Sequence, residues 1–302
     1  MLGATGMNLS QNNMANSSKL LPDNAIARDG LNLAIKHWPV PKGMPPNGVV
    51  LIVHGLGEHV GRYEHVAQHL NRSGWAVVGY DQRGHGRSEG ARGAIKQDDD
   101  LLFDLASVLD TVNKAYAHGR LAVLGHSLGG LLAARFAAAL ANPVENVAWR
   151  RSIDLCLLSS PALVLPLTGI QKLSLKTVGR LTPNFAVSNG LNPNWISTDP
   201  MVVQAYKNDS LVHDRVTGRL TRFMLDSGEV IRQRACHWTI PTLLLYSGTD
   251  RCVSPLGSRQ LAANLPAALI HAKEYEQMSH EIFNEPDRTD VLRAMQNWLS
   301  HA

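Results

Sequence analysis

Segments of strand length that contain mostly apolar residues recur along much of the chain. They span residues 48–55, 74–81, 120–127, 152–161 and 242–250, and a more polar run at 270–276 continues the series. Continuous apolarity, instead of alternation with polar residues, is typical of strands buried on both faces of a parallel sheet. The pattern therefore predicts a parallel sheet that is covered by helices on both sides.

Helical patterns occupy the intervals between these strands. They cover residues 64–72, 98–117, 129–141, 255–264 and 287–300. A regular alternation of strand and helix is typical of an α/β fold with a doubly wound sheet. Ahead of the first buried strand, Asp29-Gly30 separates two short apolar runs, and this dipeptide favours a tight hairpin turn. We therefore expect antiparallel strands at one edge of a mostly parallel sheet.

The interval 162–240 breaks this regular pattern. It has no buried-strand signal, and it is too long for a plain loop. Apolar residues recur at near-helical spacing in its first part, at Leu167, Ile170, Val178 and Leu181. We interpret the interval as an inserted helical cap over the carboxyl edge of the sheet, where ligands of open α/β sheets bind.

Domain organisation follows from these patterns. We expect an unstructured N-terminal lead at residues 1–23, an α/β core at 24–161 and 241–302, and the cap at 162–240. A chain of 302 residues that is 44% hydrophobic is long and apolar enough to bury such a core.

The net charge and the cysteine content indicate which binding partners and which cellular compartment to expect. The net charge is +4, but the 29 Lys and Arg residues are scattered, so binding to nucleic acid is not expected. Three cysteines do not make a disulfide framework, and they suit a reducing compartment. Residues 1–20 lack the features of a signal peptide, and no apolar stretch reaches the ~20 residues that span a bilayer. We therefore expect a cytoplasmic protein, and its oligomeric state stays open.

The stretch Gly125-His-Ser127-Leu-Gly129 lies where a predicted strand meets a predicted helix. A strand that ends in Gly-x-Ser-x-Gly reverses sharply into the helix, which strains the serine backbone and leaves no room for side chains at the two glycines. Such a nucleophile elbow would project the hydroxyl of Ser127 above the sheet, beside the helix N-terminus. Taken alone, the short motif also suits an ordinary glycine-rich turn.

A serine nucleophile requires a base and an acid that orients this base. In hydrolases with this elbow, the chain order is Ser, then Asp or Glu, then His. Asp250 ends a buried apolar run, so it is better placed than the other aspartates after the elbow. Five of these others lie in the predicted cap or at the start of the last helix, at Asp199, Asp209, Asp214, Asp287 and Asp290.

His280 is the base that the same order selects. It lies in a loop between the last predicted strand and the last helix, whereas His271 lies inside that strand and His237 lies at the end of the cap. We therefore expect Ser127, Asp250 and His280 to form a catalytic triad for acyl transfer.

A His54-Gly55 turn directly follows the first buried strand. Its position predicts that the backbone N–H of Leu56 faces the same pocket as the N–H of Leu128, the residue after the nucleophile. Two such donors stabilise the oxyanion of a tetrahedral intermediate. We expect the His54 imidazole to hold this turn by hydrogen bonds.

Six motifs along the chain carry a family resemblance. They are HGLGEHVGRY (54–63), DQRGHGRSEG (81–90), GHSLGG (125–130), SSPAL (159–163), SGTDRCV (247–253) and SHEIFNE (279–285). In this order they resemble the monoglyceride lipase branch of the α/β-hydrolases, across residues 25–300. The resemblance implies the same triad and oxyanion donors. It also implies that Glu58, Arg62 and His126 lie near the polar end of the pocket, where a glycerol headgroup binds.

No metal or cofactor is expected, because acyl transfer by Ser, His and Asp requires neither. Glu58 and His59 look like a short metal motif, but the loop context and the family resemblance argue against this interpretation. The histidines nearby do not form a credible ligand set: His65, His69 and His85.

Three interpretations of function remain open. The leading one is a serine ester hydrolase that cleaves monoacylglycerols, with a small-molecule ester or lipid as its substrate and a transient contact of the cap with membranes left open. The second is another hydrolase of this fold, such as a lysophospholipase, a short-chain or aromatic esterase, or a proline-type aminopeptidase. The third is a non-catalytic binding protein. A dehalogenase or epoxide hydrolase is disfavoured, because Ser127 and not an aspartate occupies the elbow.

Overall fold

The computed structural model describes residues 21–41, 43–117, 119–141, 147–169, 175 and 181–302. Most of the predicted lead, residues 1–20, lies outside the described residues, as do Ile170 and Val178 of the predicted cap. Residues 21–23 were also assigned to the lead, but they belong to the folded core. Leu21 packs against the core, and the carbonyl of Asp23 accepts a hydrogen bond of 2.7 Å from the N–H of Ile35.

Eight strands form one mostly parallel sheet. In chain order, the described strands are β1 (Asn24–Ile26), β2 (Asn32–Trp38), β3 (Gly48–Val53), β4 (Trp75–Tyr80), β5 (Arg120–His126), β6 (Leu155–Ser159), β7 (Ala186–Ser188), β8 (Arg215–Thr217), β9 (Thr242–Ser247) and β10 (Ile270–Tyr275). The strand order across the large sheet is β1-β2-β4-β3-β5-β6-β9-β10. Within this sheet, β2 pairs in antiparallel fashion with β1 on one side and with β4 on the other, and the remaining described pairs are parallel. The predicted hairpin at one edge is confirmed.

Helices cover both faces of this sheet. The described α-helices are α1 (Glu64–Arg72), α2 (Asp100–Ala115), α3 (Leu128–Leu140), α4 (Pro200–Asn208), α5 (Gly218–Arg234), α6 (Pro255–Asn264) and α7 (Arg288–His301). Short 3-10 helices occur at Val60–Tyr63, Pro193–Trp195, Ala235–His237 and Ile282–Asn284. The five helices predicted from the sequence are present, with ends within a few residues of the expected ones. No helix in the described ranges is both long enough and apolar enough to cross a bilayer.

Two hydrophobic cores lie on opposite faces of the sheet. Alternate residues of β3 enter different cores: Leu51 packs with α2 and α3, whereas Ile52 packs with α1 and α7. The β3 strand is therefore apolar at every position, because both of its faces are buried.

The segment between β6 and β9 contains two features that the sequence pattern did not predict. β7 and β8 pair in antiparallel fashion, but each has three residues and neither carries an apolar run that would have signalled a strand. The second feature is α5, which lies inside the predicted cap range. Its Leu220 and Phe223 side chains share the core of α2 and α3, so by its packing α5 belongs to a helical layer of the core.

Parallel pairing brings the carboxyl ends of the central strands together. Val53 at the end of β3 pairs with Gly125 near the end of β5. On the other side of β5, His126 pairs with Ser159 at the end of β6. The turn after β3 and the turn after β5 therefore lie side by side at one edge of the sheet, as ligand sites in open α/β sheets require.

Candidate active site

Ser127 forms the one-residue connection between β5 and α3. Its backbone has φ 52° and ψ −115°, in the region of positive φ that costs a non-glycine residue strain energy. Hydrogen bonds of 3.0 Å hold the strained residue on both sides, from the Ser127 N–H to the carbonyl of Ser159 and from the N–H of Ala162 to the carbonyl of Ser127. This is the geometry of a nucleophile elbow.

Both glycines of the motif are required by their surroundings. A Cβ on Gly125 would collide with the carbonyl of Gly129, and a Cβ on Gly129 would collide with the carbonyl of Val53. Neither glycine has a positive φ, so the requirement is one of space and not of backbone conformation. The prediction that the elbow leaves no room for side chains at these two positions is confirmed.

A cavity of about 350 Å³ lies beside the elbow. Its wall combines the turn after β3, the elbow, the loop of His280 and the segment 189–214. Ser127 and His280 both line this cavity. The half-buried elbow serine and the expected base thus lie at the same cavity.

Asp250 and His280 form a closely hydrogen-bonded pair. Asp250 follows β9, and its Oδ2 lies 2.6 Å from His280 Nδ1. The second oxygen, Oδ1, accepts hydrogen bonds from the backbone N–H groups of Cys252 (2.8 Å) and Val253 (3.0 Å). A carboxylate that accepts at Nδ1 places the imidazole proton there, which leaves Nε2 as the basic nitrogen.

The pKa values of this pair move in opposite directions. Burial raises the pKa of Asp250, but the charge and hydrogen bond of His280 outweigh burial and lower it. Burial lowers the pKa of His280, but the Asp250 carboxylate beside it outweighs burial and raises it above its ordinary value. Each partner therefore stabilises the charged form of the other.

Ser127 and His280 line the same cavity, and none of the described hydrogen bonds joins them directly. The ring of His126, which precedes Ser127, lies 4.7 Å from the His280 ring, centroid to centroid. Catalytic hydrogen bonds are often long before substrate binds and shorten in the complex. The structure thus places the expected nucleophile and base at one cavity, with the expected acid, Asp250, already in contact with His280.

The two expected oxyanion donors also lie at this site. Leu128 is the first residue of α3, and Leu56 lines the cavity. The turn that carries Leu56 touches the elbow, because a Cβ on Gly55 would lie 3.2 Å from Ser127 Cβ. Within the described ranges, neither the N–H of Leu56 nor the N–H of Leu128 donates a hydrogen bond to a protein acceptor.

His54 holds the turn after β3, as expected from the sequence. Its Nδ1 lies 2.8 Å from the carbonyl of Gly55, and its Nε2 accepts a hydrogen bond of 2.9 Å from the N–H of Gln82. The Gln82 side chain also donates to the carbonyl of His54, at 2.6 Å. The fully buried His54 ring therefore ties the turn after β3 to the turn after β4.

Glu58 lines the cavity, and protein donors occupy both of its oxygens. Oε1 accepts from the N–H of Gly55 (2.6 Å) and from the hydroxyl of Tyr63 (2.7 Å), and Oε2 accepts from Arg62 (2.9 Å). Burial raises the pKa of Glu58, but the charge of Arg62 outweighs it, and the pKa is lowered to about 2.

Arg62 lies behind the cavity wall and not in it. Its guanidinium donates bidentate hydrogen bonds of 2.6 and 2.7 Å to the Glu281 carboxylate, in addition to its ion pair with Glu58. Glu281 does line the cavity, as does Tyr206, and neither was named from the sequence. Adjacency to His280 was an available signal for Glu281, whereas Tyr206 carries no sequence signal of this kind.

His126 contributes a neutral ring to the cavity wall. Burial, and after it the neighbouring His280, lowers the pKa of His126 to about 4. Its Nδ1 lies 3.0 Å from the Ser159 hydroxyl. A neutral imidazole of this kind can donate or accept a hydrogen bond to a polar ligand group.

One group of side chains in the described ranges has metal-ligand spacing, namely Asp250, Cys252 and His280, with ligand atoms within 4.8 Å of one another. Metals bind the thiolate form of cysteine. Burial and then the Asp250 charge raise the pKa of the Cys252 thiol, so it stays protonated. His59 of the discounted metal motif instead pairs with Asp209, at 2.8 Å.

A mostly parallel sheet with flanking helices and a strained elbow serine defines a serine hydrolase of the α/β-hydrolase class. The family model described as serine aminopeptidase, S33, matches residues 44–287, and the chain belongs to this family. The predicted fold class and enzyme class are confirmed.

Relatives and solved structures in this family include named lipases. The chain is 34% identical to the monoacylglycerol lipase of Mycolicibacterium smegmatis, over 84% of this chain and 88% of that one. It is 29% identical to the phospholipase YtpA of Bacillus subtilis, over 82% and 93%. The crystal structure of a Paleococcus ferrophilus monoacylglycerol lipase matches with a TM-score of 0.77 and 33% identity, over 89% and 99%. The resemblance that the six motifs carry is confirmed.

Proposed function

We propose that this protein hydrolyses monoacylglycerols to a fatty acid and glycerol through an acyl-enzyme on Ser127. The observation that carries the proposal is the 2.6 Å contact between Asp250 and His280 beside a cavity that the elbow serine also lines. The monoacylglycerol lipases among the relatives support the substrate class.

The first half of the reaction transfers the acyl group to the enzyme. Ser127 Oγ attacks the ester carbonyl carbon, and its proton moves to Nε2 of His280. The carbonyl oxygen becomes an oxyanion that accepts hydrogen bonds from the N–H groups of Leu56 and Leu128. When the carbon–oxygen bond to glycerol breaks, His280 gives its proton to the departing oxygen.

The second half returns the enzyme to its starting state. His280 takes a proton from a water molecule, which attacks the acyl carbon, and the same proton then goes to Ser127 Oγ as the fatty acid leaves. Asp250 stays ionised and holds the imidazole in the required tautomer. These steps require no metal or cofactor.

The polar wall of the cavity is the proposed site for the glycerol headgroup. Glu58 and His126 line it and present an ionised carboxylate and a neutral imidazole. Arg62 acts through its ion pairs with Glu58 and Glu281, which hold both side chains in place, and its charge lowers the pKa of Glu58. We therefore assign contact with the headgroup to Glu58 and His126, and a supporting role to Arg62.

The cap is proposed to lie over this site and to contact lipid surfaces transiently. Leu181, Phe185 and Met201 are large apolar residues that are 85%, 68% and 75% exposed. Phe185→Ser should weaken co-sedimentation with phosphatidylcholine vesicles, and Met44→Ser, at an exposed apolar residue in the β2–β3 connection, is the control. Equal binding by both variants and the wild type would contradict the membrane contact.

We also propose a cytoplasmic location. The three cysteines are all free, which suits a reducing compartment. Compartment-specific labelling of the protein in its cells tests this point, and a signal outside the cytoplasm would contradict it.

A panel of four esters and one amide tests the substrate class. Turnover of a long-chain monoacylglycerol, a triacylglycerol, a lysophosphatidylcholine, a short p-nitrophenyl ester and a proline p-nitroanilide should be measured, with Ser127→Ala as the blank. We expect the highest kcat/KM with the monoacylglycerol. Higher kcat/KM with the lysophospholipid would favour the second candidate, which the phospholipase relative supports. Binding without turnover would favour a non-catalytic protein.

A further inference from the structure

A buried carboxylate stands five residues after His280. Glu285 is 2% exposed and follows the 3-10 helix Ile282–Asn284. Its Oε1 accepts hydrogen bonds from the N–H of Ser279 (3.0 Å) and from the N–H of Thr198 (2.9 Å). Its Oε2 accepts from the Thr198 hydroxyl. The carboxylate thus joins the residue before His280 to a residue of the segment between β7 and α4.

The donors to this carboxylate are neutral. Among the residues that the structure describes, no Lys, Arg or His forms an ion pair with Glu285. A buried charge without a cation is costly unless hydrogen bonds satisfy it. Here two backbone N–H groups and one hydroxyl do so, and all three belong to the two segments that Glu285 connects. Neither segment can move away without leaving the carboxylate under-satisfied.

The segment Trp195–Thr198 makes further contacts with the loop that carries His280. The N–H of Glu281 donates to the carbonyl of Ile196 at 2.8 Å, and the N–H of His280 lies 3.4 Å from the carbonyl of Trp195. The Arg251 guanidinium, next to Asp250, lies over the Trp195 ring at 4.6 Å. This segment is therefore in contact with the loops of both the expected base and the expected acid.

The same segment also forms part of the substrate cavity. Ile196 lines the cavity, as does Pro193, which lies two residues before the segment. Any motion that carries this wall away from the cavity would break the contacts of Glu285 with Thr198 and disturb the backbone at Ser279. The Glu285 side chain thus connects the cavity wall to the loop of the base, in addition to the backbone hydrogen bonds of His280 and Glu281 with this segment.

We propose that Glu285 is a positioning residue, which fixes the His280 loop to the Trp195–Thr198 segment so that His280 is aligned only when this wall of the cavity is in place. The proposal rests on the proposed function, because it assumes that His280 is the base. It assigns to Glu285 no contact with substrate or with the reacting atoms.

The first test compares Glu285→Ala, Glu285→Gln and Glu276→Gln. Glu276 is an exposed glutamate near the same loop, so its variant is the matched control. We expect Glu285→Ala to lower kcat by one to two orders of magnitude, about what a displacement of a catalytic group by an ångström costs, while KM changes much less. Glu285→Gln keeps an oxygen that accepts from the two N–H groups, so it should recover most of kcat.

The pH profile separates positioning from general destabilisation. In Glu285→Ala, His280 should lose its alignment with Asp250. The pH at which kcat/KM reaches half of its maximum should then fall toward the ordinary histidine pKa of about 6.5. In Glu276→Gln this midpoint pH should equal that of the wild type. Assays run well below the unfolding temperature of each variant. Wild-type kcat and midpoint in Glu285→Ala would overturn the proposal, as would equal losses in Glu285→Ala and Glu285→Gln.

Two further variants complete the test. If Glu285→Ala does not fold, Thr198→Val removes one hydroxyl donor and should shift kcat and the midpoint in the same direction by a smaller amount; no shift would overturn the proposal. When His280 is already replaced by Ala, the added change Glu285→Ala should have little further effect on residual turnover. A further loss as large as the one that Glu285→Ala causes in the wild-type protein would overturn the proposal. High activity of His280→Ala would instead refute the proposed function, so the two failures are distinguishable.

Discussion

The two sides of the candidate active site are built in different ways. On the nucleophile side, β5, Ser127 and α3 are consecutive in the chain, and the glycine backbone, the strand register and the helix start determine the position of the serine. On the base side, His280 lies in a loop that side-chain and backbone contacts attach to a segment some eighty residues earlier.

This difference determines how each side tolerates change. The elbow is held by close backbone packing, so a single added methyl group at either glycine meets a carbonyl oxygen. The base loop is held by hydrogen bonds that can be removed one at a time. We therefore expect mutations at the two elbow glycines to act on the fold, and mutations around the base loop to act mainly on catalysis.

The largest effects are expected at the acid and the base themselves. Asp250→Asn should lower kcat by about 10⁴-fold, because the amide favours the wrong imidazole tautomer, and His280→Ala should be comparably severe. Steady-state turnover of a monoacylglycerol measures both, with circular dichroism as the control for folding. A loss of less than tenfold in Asp250→Asn would show that another carboxylate orients the base.

Mutation of an elbow glycine should lower the stability of the fold, whereas mutations in the base loop should lower activity. Gly129→Ala introduces a Cβ that meets the carbonyl of Val53, and we expect it to destabilise the fold by about 1–3 kcal/mol or more. Gly169→Ala is the control, because no atom lies within 4 Å of an added Cβ there. Urea denaturation compares the two variants, and equal stability of both would contradict backbone packing as the determinant of the elbow.

The pH dependence of kcat/KM tests whether Asp250 stabilises the charged form of His280. The pKa of His280 is raised in the folded protein, and only the unprotonated ring can take the proton of Ser127. The kcat/KM should therefore be low in acid and rise with pH, with a midpoint above the ordinary histidine value of about 6.5. Assays between pH 5 and 9 measure it. A midpoint below that value would mean that Asp250 does not stabilise the charged ring.

The smallest effect concerns the thiol beside the base. Cys252 lines the cavity but is 3% exposed, and burial followed by the Asp250 charge raises the pKa of its thiol, whereas Cys236 is exposed. Because the thiolate is the reactive form, a maleimide should label Cys236 first, without loss of activity, and Cys252 only slowly.

Mass spectrometry of the labelled peptides, together with turnover measurements over the same time course, checks that Cys236 is labelled before Cys252. Loss of activity should follow the labelling of Cys252, and Cys252→Ala should keep most activity and resist the reagent. If activity is instead lost in step with labelling of Cys236, Cys252 does not border the substrate.

Sequence patterns predicted the nucleophile side almost completely. Continuous apolar runs predicted the central strands, and the motif Gly125-x-Ser127-x-Gly129 predicted the elbow. Both could be predicted because each signal lies within a short stretch of sequence. Asp250 and His280 were also predicted as acid and base, since both follow predicted strands. The chain order of such sites then left few alternatives.

The supports of the base side could not be predicted in the same way. Thr198, Ser279 and Glu285 are ordinary polar residues in loops, and their relation depends on a contact between segments 87 residues apart. The assignment of α5 to the core, and the participation of Tyr206 in the cavity wall, likewise depend on how the segment after β6 packs. No local pattern encodes such long-range contacts.

The central claim is that Ser127 is the nucleophile, and covalent labelling tests it most directly. A fluorophosphonate should add to wild-type protein at the peptide that carries Ser127, as measured by mass spectrometry, with complete loss of ester turnover. Ser127→Ala should take up no label and show no turnover while its circular dichroism and thermal unfolding match the wild type, because one side-chain oxygen contributes chemistry and little packing. Labelling or turnover retained by Ser127→Ala would contradict the account.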